Sequence, residues 1–177
     1  MENKKGNIWG IIIIIGGLFI LMFLGLLFAF GFGIMNWVGD ETVPLLKSVG
    51  MVDNWNSTAS IEYTIDPLNS ILQQSTWLGG VFYALSLLMI FGVAFIYRNY
   101  NVRFMIPLFF GMMVILFIAS IFVSNIYEEF QTSNDDLGTR LQEQSLLSFF
   151  LLYAPGIIAL VGFLAGAIMF SGPGVEM

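Results

Sequence analysis

From Ile8 to Met35 the chain runs for 28 residues without one charged side chain, IWGIIIIIGGLFILMFLGLLFAFGFGIM. About 20 apolar residues cross a hydrocarbon core. At about 1.5 Å per residue this stretch makes a helix of about 42 Å, so it must tilt or stand clear of the membrane. Gly25, Ala29 and Gly33 recur within it at four-residue spacing, and Gly17 lies two turns earlier on nearly the same ridge. Small residues so spaced let another helix backbone approach closely. That helix belongs either to this chain or to another one, and the expectation taken forward is a partner chain on the Gly25–Ala29–Gly33 ridge.

The rest of the composition agrees with a membrane environment. Hydrophobic residues make up 58% of the 177 positions and charged residues 10%, against about 25% charged in a soluble domain. There is no Cys and no His, which removes thiolate and imidazole catalysis and the usual zinc or haem ligands. A net charge of −6 argues against nucleic acid as a partner, because phosphate binding needs a basic stripe. Lys4 and Lys5 resemble the basic start of a signal peptide. The apolar run is too long for one and no A-x-A site follows, so it reads as a retained span.

The expected fold is an all-α, four-span transmembrane helix bundle forming a single membrane domain, with spans at about 8–35, 77–97, 104–125 and 146–170. Residues 36–76 form an outer loop. There Asp40, Glu41 and Thr42 before Pro44 predict the start of a short surface helix, with Leu45, Leu46, Val49 and Val52 on one face. Ile61, Tyr63 and Ile65 alternate with polar residues like a strand, and Asp66-Pro67 reads as a second helix start. Residues 126–145 form an acidic outer helical turn, where Thr139 and Gln142 fit a capping box. Pro155 should kink the fourth span, and Gly162 and Gly166 form a second small-residue pair. Trp9, Trp37, Trp77, Tyr97 and Tyr127 are the expected interface anchors.

Four spans put both termini on one side with the Arg98–Arg103 loop. That side holds Lys4, Lys5, Arg98 and Arg103, and the other holds only Lys47 and Arg140, so both termini are expected in the cytoplasm.

No Asp, Glu, Lys or Arg lies inside a span, which makes an ion-coupled carrier the weaker expectation. Tyr83, Ser86, Ser120, Ser124, Asn125, Ser148 and Tyr153 supply hydroxyls and one amide. They read as interhelical bonding groups rather than a solute lining. Glu128, Glu129, Asp135 and Asp136, with Glu143 nearby, are weak candidates for holding a hard cation, but the D-x-D-x-D-G spacing is missing. No catalytic residue, cofactor or metal is assigned. Asn56-Ser57-Thr58 is a glycosylation sequon, and Trp55 beside it is either an anchor or a partner contact.

In topology the chain resembles the claudin-like four-span proteins: cytoplasmic ends, a large first outer loop and a tight inner connection. Their signature loop carries two cysteines and this chain has none, so no family follows. The leading expectation is a non-catalytic structural or accessory subunit of a larger membrane assembly, partnered by other membrane subunits or by copies of itself. The alternative is a small oligomeric channel with an acidic outer mouth, and an adhesion or receptor role ranks third.

Overall fold

The structure, a computed structural model, describes residues 6–52, 55–74, 76–98, 105–133 and 135–171. Among the described residues seven helices follow in order: α1 (Gly6–Ser48), α2 (Ser57–Gln74), α3 (Thr76–Ile96), α4 (Met105–Gln131), α5 (Asp136–Glu143), α6 (Ser145–Leu152) and α7 (Ala154–Phe170). Two short strands, β1 (Met51–Val52) and β2 (Trp55–Asn56), pair antiparallel between α1 and α2. Three helical stretches are long and apolar enough to cross a membrane, and α6 with α7 makes a fourth if the bent pair counts as one.

α1 is longer than its apolar run. It continues through Asn36, Asp40 and Pro44 as one 43-residue helix, so the separate surface helix expected near Asp40 is the far end of α1 instead. Pro44 removes one backbone donor, but packing against α2 and α5 holds this segment helical. Gly50, with φ +67°, ends the run; this left-handed conformation is one that glycine adopts without strain.

α2 replaces both the strand and the second helix start. Its cap is Asn56, whose Oδ1 accepts the Ala59 N–H at 3.1 Å. Ser60 Oγ donates to Asn56 O at 3.0 Å and Ser70 Oγ to Asp66 O at 2.9 Å, a spacing that a strand does not allow. Ile61 is buried and Tyr63 exposed, so an alternation over five residues was one face of a helix sampled briefly.

α1 and α2–α3 form a long antiparallel hairpin. Tyr97 covers Gly10, Ile90 covers Gly17, Tyr83 covers Gly25 and Asn69 covers Gly39. Further out, Lys47 meets Asp66 and Met51 pairs with Asn56. The numbers of each pair add to about 110 throughout, as a constant antiparallel register requires. α2 and α3 therefore lie along α1 in one register.

α7 packs between α3 and α4. Met113 of α4 lies over Gly162, and Phe109 over Gly166. α6 meets α7 at Tyr153 with a bend of 74°, and Pro155 stands in the first turn of α7. α6 crosses the hairpin: Leu146 lies over Gly80, Leu147 over Gly79 and Leu151 over Gly25. Between lipid-embedded helices the gain comes from close van der Waals contact rather than from excluding water. The glycines are where that contact is closest.

The α5 cap differs from the expected box. Asp135 is the N-cap and accepts the Gly138 N–H at 2.8 Å. Thr139 lies inside the helix, and Gln142 Nε2 donates to Gln131 O at 2.8 Å.

Candidate functional site

Polar chemistry gathers at the end of the bundle where α1, α2, α5 and the start of α6 meet. Asp40 is its centre. Its Oδ1 accepts from Gln73 Nε2 at 2.8 Å and from Asn69 Nδ2 at 3.4 Å, and its Oδ2 pairs with Arg140 Nη2. Arg140 also donates through Nη1 to Glu143 Oε1 at 3.0 Å. One carboxylate thus ties three helices together. A second ion pair, Lys47 with Asp66, joins α1 to α2 further out. Exposed pairs of this kind contribute about 0–1 kcal/mol each. The Asp40 set is the stronger, because its acceptors are shared among several donors.

Beneath this clasp lies a buried layer. Gln144, fully buried at the corner between α5 and α6, donates through Nε2 to Ala29 O at 2.9 Å. It lies beside Gly33, one turn on, where a Cβ would be 3.7 Å from Nε2, an ordinary contact, and only 3.2 Å from Leu137 Cδ1. Leu137 and Leu141 fill the rest of the space over Gly33. Tyr127 is wholly buried, and its hydroxyl lies 2.6 Å from Ser148 Oγ and 3.2 Å from Leu141 O. Ser148 Oγ donates to Leu141 O at 2.8 Å. Ser124 Oγ donates to Leu152 O at 2.6 Å, satisfying a carbonyl at the α6–α7 break.

Asn36 lies between Gly33 and Asp40 on the same face of α1, only 1% exposed. Its Nδ2 and Oδ1, together with Asn69 Oδ1 and Gln144 Oε1, find no hydrogen-bond partner among the described residues.

The residues singled out in the sequence divide clearly. Gly17, Gly25, Ala29 and Gly33 face α3, α5 and α6 of the same chain, and Gly162 and Gly166 face α4. The ridge expected to receive a partner is therefore occupied from within. Trp9, Trp37 and Trp77 are exposed, while Tyr97 rests on Gly10. Tyr127 is no surface anchor: its ring is buried against Phe30 and its hydroxyl is bonded inside the bundle. Ser86 and Ser120 bond to carbonyls of their own helices, Phe82 O and Phe117 O. Trp55 lies in β2, and nothing of its side chain is described.

Among the described residues no three His, Cys, Asp or Glu side chains gather as a metal site. Glu128 and Glu129 stand exposed on α4, Asp135 caps α5, and Glu143 is held by Arg140. The Ser133 hydroxyl, first, and the Gly138 N–H hold the Asp135 carboxyl below the usual aspartate range. The cap therefore works fully above ordinary aspartate titration and weakens as the pH falls through that lowered value.

Asp40, Arg140 and Gln144 were invisible as a set in the sequence. About 100 residues separate Asp40 from Arg140, and no periodicity links them. The usable signal was charge: the two basic residues beyond the apolar runs on that side, Lys47 and Arg140, sit among acids and each has one as its partner. Compared with known protein families, curated proteins and solved structures, the chain matches none.

Proposed function

We propose that the protein is a four-span membrane protein, with both termini in the cytoplasm, that serves as a non-catalytic structural subunit of a larger membrane assembly. The observation that carries this reading is the apolar surface left outward on the polar end. Leu45, Tyr63 and Leu68 are 67%, 84% and 61% exposed on helices that also bear Asp40, Lys47 and Asp66. Three large apolar side chains left exposed at a polar end are surface that a protein partner would cover. The contact falls on these outward faces, not on the Gly25–Ala29–Gly33 ridge.

The inward chemistry supports the same reading. The Asp40 carboxylate is saturated by two amides and a guanidinium, and the serine hydroxyls described above bond to backbone carbonyls. These groups hold the chain to itself and present no free nucleophile or base. A pore between copies would need a polar outward stripe within the membrane. Phe82, Leu85, Leu88 and Met89 occupy that position on α3.

Native mass spectrometry after gentle extraction tests the proposal. The expected species is an assembly several times the 19.7 kDa of one chain. A lone monomer from undisturbed membranes contradicts it.

A further inference from the structure

Every buried side-chain nitrogen or oxygen left without a partner among the described residues belongs to one of three amides. The atoms are Asn36 Oδ1 and Nδ2, Asn69 Oδ1 and Gln144 Oε1. Buried polar atoms are nearly always paired. An asparagine 1% exposed beside a glutamine wholly buried therefore calls for an explanation.

The three amides meet along successive turns of α1. Gln144 Nε2 bonds to Ala29 O and lies 3.7 Å from where a Gly33 Cβ would be. Asn36 follows Gly33 by three residues, and Asn69 Oδ1 lies against Gly39, three residues further on. Helical side chains lean toward the N-terminus of their helix. That carries the Asn36 amide back over the Gly33 turn, to the level of Gln144. Asn69 is tied through Nδ2 to Asp40, which leaves its oxygen on the α1 side. α2, α5 and the start of α6 thus close over one stretch of α1 with three amide oxygens buried and unpaired.

Three oxygens to one nitrogen is an acceptor-rich set, and its surroundings are negative. Asp40 and Glu143 against Arg140 leave one negative charge over these turns. Gln144 also caps the C-terminus of α5, the negative end of that helix's dipole. Hard cations take amide and backbone carbonyl oxygens as ligands. A divalent ion draws on several carboxylates, and here the nearest one, Asp40, is already shared among three donors. One net negative charge and neutral oxygen ligands match a monovalent ion instead.

We infer that Asn36, Asn69 and Gln144 form a buried binding site for a monovalent alkali cation. Asn36 Oδ1, Asn69 Oδ1 and Gln144 Oε1 are its protein ligands. Water completes the coordination shell, and Asn36 Nδ2 donates to that water. The ion ties α1, α2 and the α5–α6 corner together beneath the Asp40 clasp. It also gives the amide at position 36 a role that a leucine of the same shape cannot fill.

Thermal unfolding of the full-length protein in detergent tests the site, in sodium, potassium, calcium or choline chloride at one ionic strength. Sodium or potassium should raise the melting temperature above that in choline by a few degrees, and the rise should saturate. Asn36→Leu should lose the rise, while melting in choline at or above the wild type. Asn36→Asp keeps an oxygen and adds a buried charge. It should melt below the wild type in choline and show a rise at least as large. Replacing the exposed pair, Glu128→Gln with Glu129→Gln, should leave the rise unchanged. No rise in the wild type, an equal rise in Asn36→Leu, or its loss in the Glu128 and Glu129 variant overturns the site. A rise that calcium alone produces overturns the monovalent assignment.

Discussion

Asn36 sets out the energetic problem at the polar end most sharply. It is 1% exposed with neither amide atom bonded among the described residues. A buried polar group left unpaired costs about 1–3 kcal/mol. Leucine has nearly the same shape and no such cost, so Asn36→Leu should leave the melting temperature unchanged or raise it. Thermal unfolding in detergent checks this, and a fall of more than a few degrees would mean that the amide is bonded. Gln144 is the contrast: its Nε2 holds Ala29 O at 2.9 Å. Neither role was legible in the sequence. A glutamine in an outer helical turn carries no sign of burial until the fold brings α1 against it.

At the scale of elements, sequence and structure agree where a long apolar run decides the outcome. The first three apolar stretches are helices that start within two residues of the expected limits, though α1 runs on to Ser48 and α4 to Gln131, and a 74° break falls beside Pro155. They part at residues 36–74, where local signals such as Pro44, Asp66-Pro67 and a five-residue alternation suggested interruptions. Tertiary packing along α1 overrode them, because each signal is weaker than a helix face buried over several turns. The glycine ridges were legible as close contacts, but not whose helix they contact. In the structure Gly25 lies under Tyr83 and Leu151, where a Cβ would come within 2.7 Å and 3.0 Å of their side chains. Gly25→Leu should therefore destabilise the monomer by about 1–3 kcal/mol, whereas Gly16→Ala, with nothing within 4 Å, should be near neutral. Comparing the two melting temperatures tests the internal packing, and equal values would contradict it.

At the scale of the molecule, α1 is a mast. Its apolar run, about two-thirds of its 43 residues, is more than the roughly 20 needed to cross a bilayer about 30 Å thick. In the proposed placement the remainder, braced by α2 and clasped through Asp40 and Arg140, projects from the bilayer. That projection underlies the subunit reading. It is tested most directly by single cysteines walked along the exposed side of α1, at Gly31, Ile34, Val38, Glu41 and Leu45, each probed with a water-soluble maleimide in intact membranes. The account predicts protection at Gly31 and Ile34, a rise just past Trp37, and full labelling at Glu41 and Leu45. Protection that persists through Leu45 would bury the clasp in lipid and contradict the account.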